Sequence, residues 1–182
     1  MFYEILSLLL SVAAGLLAGA CLLRLYMQYQ RISFGNPIGR FVFAVTDWLV
    51  LPLRKVLPAI GRWDTASLVG AYLVKLAQVL LLWLVLGAPG GGHLLPVAAA
   101  FDLLRLVITA LTILVIVAAV LSWVRADSPM ADIVERLVAP LLRPFRRVIP
   151  LVGGLDLSPL AFLVLLQIAG IVLGGIERGV LR

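Results

Sequence analysis

Few side chains in this chain are equipped for chemistry, and their types and spacing exclude most of it. There is one histidine, His93, and one cysteine, Cys21, so no His/Cys cluster can hold a metal and no disulfide can form within the chain. His93 sits in a Gly-rich linker, away from any serine and aspartate that would complete a hydrolytic triad. Asp127, Asp132 and Glu135 fall close together, and helical spacing sets Asp132 beside Glu135 and Arg136. A solvated face neutralised by local arginines accounts for that group better than paired acid–base catalysis. The basic pairs Arg54-Lys55 and Arg146-Arg147 follow Pro52 and Pro144; their chemistry suits phosphate, with lipid headgroups or a protein partner as the expected contact. Lys75, Gln78 and Gln167 lie inside apolar stretches. The inventory predicts a protein with no catalytic residue, no metal and no cofactor.

Those basic pairs belong to a repeat. Residues 36–68 recur without a gap at residues 128–160, at a shift of 92. Pro37, Pro52 and Pro58 fall on Pro129, Pro144 and Pro150; Arg54, Gly61 and Asp64 fall on Arg146, Gly153 and Asp156. The shared positions are mostly those that set backbone shape and charge. The protein is therefore a duplicated unit, and its function belongs to the two repeated loops or to the axis between them.

The elements that carry these loops are membrane spans. The chain of 182 residues is 63% hydrophobic and 13% charged, with a mean hydropathy of +1.15. Soluble domains carry roughly 25% charged residues, so this composition is that of an integral membrane protein. Four stretches, 5–23, 66–86, 106–124 and 157–176, approach the roughly 20 residues a helix needs to cross the bilayer. Unbroken runs of Leu, Ala, Val and Gly predict helices; a barrel would alternate with period two. The segment before Cys21 resembles a lipoprotein processing site. No Lys or Arg precedes Arg24, and Ala18 stands three before the cysteine where leucine is preferred, so the first span is expected to be retained.

Charge orients the spans. Arg24, Arg31, Arg40, Arg54, Lys55 and Arg62 lie from Arg24 to Asp64; Arg125, Arg136, Arg143, Arg146 and Arg147 lie between Val124 and Asp156. The linker 87–96 and the residues before the first span carry no Lys or Arg. The positive-inside rule predicts both repeated loops in the cytoplasm and both termini outside, against a weak contrary signal from Arg178 and Arg182. The net charge of +6 reflects basic residues flanking spans, which anionic lipid explains more simply than sequence-specific nucleic-acid binding.

Within each loop the pattern is helical. Ser128 suits an N-cap, Pro129 a first turn, and Asp132 the positive end of the dipole. Met130, Ile133, Val134, Leu137, Leu141 and Phe145 then recur on one face with charges between them. In the first copy Asn36 and Pro37 precede Ile38, Phe41, Val42, Val45 and Leu49. Each segment is predicted as an interfacial amphipathic helix, lying flat or tucked in as a shallow hairpin. Pro52 and Pro144 are expected to end or kink it, Pro58 and Pro150 to mark the next turn, and Gly61 and Gly153 to permit unusual backbone angles. Asp64 and Asp156 fall where the second and fourth spans begin.

The motif Leu-Leu-Arg-Leu-Tyr-Met-Gln at 22–28, with Asn36-Pro37, Thr46, the run 52–58, Gly61 and Asp64, resembles the N-terminal repeat of the YggT family, called YlmG in some lineages. Ser122-Trp123, Ser128-Pro129, Pro140-Leu-Leu-Arg-Pro144, Arg146-Arg147, Pro150, Gly153-Gly154, Asp156 and Ser158-Pro159 resemble its second repeat. Trp48 departs from the family's usual proline, which Pro140 keeps, so the first amphipathic helix is expected to be less bent. The resemblance implies a bacterial inner-membrane protein in the two-repeat form, with no assigned enzymatic activity. It also implies links to osmotic and potassium homeostasis and to division gene clusters, and in plastid relatives to nucleoid organisation and haem attachment.

The predicted architecture is an all-α membrane protein. Residues 1–88 form one repeat, 89–96 an outer Gly/Pro linker and 97–182 the second repeat, each repeat having two spans and a cytoplasmic amphipathic helix between them. Two functions follow. One is a scaffold or assembly factor with membrane lipids, other membrane proteins or its own copies as partners. The other is a small transporter or channel component. Lys75 lies eleven residues beyond Asp64, about 16 Å along a helix at about 1.5 Å per residue. There an unpaired lysine costs at least about 2.5 kcal/mol. It is expected to face other helices, with Gln78 or its repeat equivalent Gln167 nearby, as a polar clamp in preference to an ion pathway.

Two spans per repeat give both copies the same orientation, related by an axis along the membrane normal. In a Cys21→Ala background, cysteines at Arg31 and at Arg125 should both react with an impermeant reagent from the cytoplasmic side; reaction from opposite sides excludes parallel repeats.

Overall fold

In a computed structural model, residues 2–88, 91–124, 129–149 and 156–181 are described. The expected Ser128 cap, Pro150 and Gly153 lie outside these residues. The described chain is helical: α1 (Phe2–Tyr29), α2 (Pro37–Val56), α3 (Thr65–Val85), a short 3-10 turn (Gly92–Leu94), α4 (Leu95–Val124), α5 (Pro129–Val148) and α6 (Ser158–Val180). Among the described residues, four helices are long and apolar enough to cross a membrane: α1, α3, α4 with the turn before it, and α6. These are the spans of a multi-pass membrane protein. Their outward Leu16, Ile113 and Ile171 are more than half exposed, as suits side chains whose solvent is lipid.

The chain falls into two compact units, residues 1–107 with 179–182, and residues 108–178. In the first unit Ala18, Cys21, Val50, Ala66 and Ala71 form a buried cluster, bordered by Leu22, Leu49, Leu53, Val74, Leu103 and Leu106. Four of the five central residues are alanine or cysteine. Lipid tails are as apolar as leucine, so spans associate by close packing, and small residues let the backbones of α1 and α3 approach. In the second unit the cluster is built from larger groups: Val115, Val134, Val138, Leu142, Phe162 and Leu166. Phe145 meets Phe162 edge-on at 5.3 Å between ring centroids.

Local sequence sets the joints. Asn36 caps α2 by accepting the Gly39 N–H at 2.8 Å, and its own amide donates to the Ser33 carbonyl. Pro37 fills the first turn, where its missing N–H costs nothing. Gly39 has no alternative: a Cβ there would stand 2.4 Å from the Phe34 carbonyl oxygen and 2.5 Å from the Phe34 Cα. At the far end Ile60 and Trp63 exchange backbone hydrogen bonds at 3.1 and 3.0 Å. Gly61 turns between them at φ +62°, the left-handed angle anticipated for it.

The prolines behave differently from one part of the expectation. Pro52 lies inside α2, and Pro140 and Pro144 lie inside α5, yet both helices continue past them. Each proline removes one backbone donor, but the residues around it are tied down by burial, Val50 in α2 and Val138 and Leu142 in α5. α4 also begins earlier than expected, at Leu95, so it takes in Asp102 and Arg105.

Gly39→Ala should be strongly destabilising, because the Phe34 backbone cannot retreat without opening the Asn36 cap. The thermal unfolding midpoint of the detergent-extracted protein should drop by several degrees, whereas Gly15→Ala, with open space around it, should leave it unchanged.

Candidate functional site

The buried charges of the first unit meet where α1, α2 and α3 converge. α1 runs on to Tyr29, so Arg24 sits inside the helix and not at its end. Helical spacing aligns it with Cys21 and Gln28 on one face. Its side chain is 2% exposed. Nη1 donates to Thr46 Oγ1 at 2.8 Å and to Asp47 Oδ1 at 2.6 Å. The guanidinium carbon lies 4.6 Å from the centre of the Phe43 ring, within cation–π range. Nε is 3.9 Å from Asp64 Oδ2, a charge contact too long for a hydrogen bond.

Asp64 is the centre of the group. Fully buried, it caps α3 by accepting the Ser67 hydroxyl at 2.6 Å and the Ser67 N–H at 3.4 Å. Arg54, in the last turn of α2, reaches it with two donors: Nε at 3.3 Å from Oδ1, and Nη2 in close contact with Oδ2. The same Nη2 donates to Gln28 Oε1 at 2.9 Å. Two arginines and two aspartates thus neutralise one another. Burial pushes the Asp64 carboxyl upward, but the hydrogen bonds from Arg54 and Ser67 and the Arg54 charge outweigh it and hold the pKa below the ordinary carboxylate range.

The second unit keeps a simpler form. Arg146 Nε donates to Asp156 Oδ2 at 2.7 Å, and Asp156 Oδ1 accepts the Ser158 N–H at 2.9 Å. Burial again pushes this carboxyl up, and the bonds from Ser158 and Arg146 bring it lower than usual. At the shift of 92 that joins the copies, Thr46 and Asp47 correspond to Val138 and Ala139. Val138 packs into the apolar cluster, so the second copy has greasy contacts where the first has a polar network.

A second polar group lies deeper. Lys75 Nζ donates to Gln78 Oε1 at 2.8 Å, and Gln78 Nε2 donates to Ser11 Oγ at 3.0 Å. This ties α3 to α1. Lys75 is 7% exposed, whereas Gln167, its repeat equivalent, is exposed on α6.

The basic pairs divide in two. Arg54 and Arg146, read from sequence as headgroup or partner contacts, are held by Asp64 and Asp156, the aspartates ten residues after them. Lys55 and Arg147 are exposed. Sequence reading missed Arg24, Asp47, Thr46, Ser67, Gln28 and Ser11 as members of these networks. The signal is present in Arg24: a charge within an apolar helix demands a counterion, but the apolar run 5–23 stops just before it, so composition alone marks it as a span boundary. No group of three or more His, Cys, Asp or Glu among the described residues is arranged to hold a metal.

The duplication is matched in comparison with known proteins: residues 3–85 and 97–176 each match CCB3/YggT. The chain belongs to the CCB3/YggT family. It is 36% identical over 167 residues to the uncharacterized protein YggT of Escherichia coli K12, covering 90% of this chain and 86% of that one. It is 33% identical over 176 residues to an uncharacterized protein encoded in the proC 3' region of Vibrio alginolyticus, covering 94% of each. An uncharacterized protein of Pseudomonas aeruginosa is 36% identical over 149 residues, 79% of this chain and 76% of that one. No solved structure matches. Each of the two matched segments contains one of this chain's Arg–Asp pairs, Arg54–Asp64 in the first and Arg146–Asp156 in the second.

Removing the Asp64 charge leaves Arg54 without its carboxylate and Arg24 with Asp47 alone, and breaking a buried pair in this way costs about 3 kcal/mol or more. Asp64→Asn should therefore unfold well below the parent protein. The pH dependence has a definite sign. A depressed carboxylate pKa adds stability that is fully present above the unfolded value of about 4 and is lost as pH falls toward the folded value. Thermal scans should be flat from pH 7 to about 5 and fall below about 4, and Asp64→Asn should flatten that acid limb.

Proposed function

We propose that this chain is a non-enzymatic protein of the bacterial inner membrane that acts as a scaffold or assembly factor. In this reading α2 and α5 are amphipathic helices at the cytoplasmic interface and form the working surface. The observation that carries it is the duplicated ion pair, Arg54–Asp64 and Arg146–Asp156. In both copies it fastens the end of a charged helix to the start of the following span. Such a fastening builds a fixed surface, and it commits Asp64 and Asp156 to holding the fold. On α5 the apolar side, Ile133, Val134, Leu137, Val138 and Leu142, is buried, and Glu135, Arg136, Arg143 and Arg147 face outward. That outward side suits anionic headgroups, other membrane proteins or a second copy. The family resemblance suggests the setting, the osmotic stress response or the organisation of the envelope and division apparatus.

A second reading, a small transporter or channel component for potassium or another ion, draws on the Lys75–Gln78–Ser11 group between α1 and α3. Its hydrogen bonds also serve as an interhelical clamp, which is why the scaffold is preferred.

Cross-linkers placed at Lys55 and Arg147 should capture membrane-protein partners or a second copy from native membranes, and proteoliposomes should pass no potassium. Lys75→Met should then lower abundance. Potassium flux that disappears in Lys75→Met at normal abundance would overturn the scaffold in favour of the pathway.

A further inference from the structure

Arg143, Arg146 and Arg147 occupy one turn of α5 at the spacing that aligns side chains on a helix face. With Ala139 and Pro140 they line an open cleft of about 620 Å³. Three like charges so close repel one another, and among the described residues one of them has a counterion: Arg146 Nε is held 2.7 Å from Asp156 Oδ2. Arg143 and Arg147 are exposed, and neither makes an ion pair or hydrogen bond with a described residue. Two open guanidinium forks beside an anchored third present several donors to one volume. A tetrahedral phosphate, with its oxygens in different directions, matches that arrangement better than a flat carboxylate.

We propose that this cleft is a phosphate-binding site peculiar to the second copy, with Arg143 and Arg147 as the binding residues and Arg146 as the anchored third charge. The first copy is an internal control. At the shift of 92 its residues are Leu51, Arg54 and Lys55. Arg54 is engaged by both Asp64 and Gln28, so a single open cation, Lys55, remains where the second copy has two.

The ion pair also fixes the depth of the cleft. Asp156 precedes the first residue of α6, a span, by two positions, so Arg146 is tied to the level at which the apolar stretch begins. Lipid phosphates lie at that level, and the phosphate of an anionic lipid is the expected source. This inference rests on the reading that α5 lies along the membrane surface. Cross-linking tests the scaffold separately, so either can fail alone.

The test uses the full chain in detergent micelles, doped with phosphatidylglycerol or phosphatidylcholine and read by native mass spectrometry. Phosphatidylglycerol should be retained in preference. Arg143→Gln with Arg147→Gln should weaken retention about thirty-fold, the effect of losing two cations at headgroup depth, with helix content unchanged by circular dichroism. Lys55→Gln should change retention far less. Should the double variant not be extracted folded, Arg143→Gln alone is read by the same measure. Displacement of the lipid by millimolar inorganic phosphate would make a soluble phosphate the source, and resistance to it would make the lipid the source; both uphold the site. Unchanged retention in the double variant, or an equal loss in Lys55→Gln, overturns it.

Discussion

The first unit depends on a carboxylate that water does not reach. Taking a charged Asp64 out of water costs several kcal/mol even after relaxation, so it is stable only with close partners on every side. α1 brings Arg24 near it, α2 brings Arg54, and α3 supplies Ser67 from its own first turn. None of the three helices can shift without uncovering the charge. The dry packing between them is mostly alanine and cysteine, which bury little area each, and lipid offers no hydrophobic driving force to add to it. The polar network therefore supplies the specificity that a soluble protein would take from a large apolar core.

The two copies solve the same joint at different strengths. Both place an arginine ten residues before an aspartate, with the aspartate at the mouth of a span. In the first copy the aspartate is sealed and a second Arg–Asp pair, Arg24–Asp47, is stacked beside it. In the second copy Arg146 is 46% and Asp156 30% exposed, so water screens their attraction and such a pair contributes about 1 kcal/mol or less. Val138, Leu142, Phe145 and Phe162 take up the stability there. Duplication followed by divergence has left one copy held by charge and the other by packing. It has also left the second copy's basic turn free to meet an outside anion.

The outline of this arrangement was legible before any coordinates. The spans declare themselves by composition, and the repeat shift of 92 pairs Asp64 with Asp156 and Arg54 with Arg146. The left-handed turn at Gly61 follows from its type and place. Harder to read was what each charge faces. Arg24, Arg54 and Arg146 look like the basic flanks of membrane spans, and the positive-inside pattern accounts for them without any partner. Their counterions lie 23 residues away for Arg24–Asp47 and 10 for the other two pairs, distances that neither helical nor strand periodicity can join. The helix ends allowed for at Pro52 and Pro144 do not occur, for a related reason. Proline's local cost is fixed, but whether a helix survives it depends on burial of the residues around it.

The sequence by itself determined the class, the number of spans, the duplication and the turn chemistry, because these follow from apolar run length, periodicity and the restricted backbone of proline and glycine. Tertiary structure alone decided which of the matched charges would be sealed and which left open. Desolvation is a property of surroundings: Asp64 and Asp156 share residue type and repeat position, yet one is shut in by α1, Arg24 and Ser67 while the other stands partly in solvent. That difference arises from side chains distant in sequence, and it separates the locked joint of the first copy from the open basic cleft of the second.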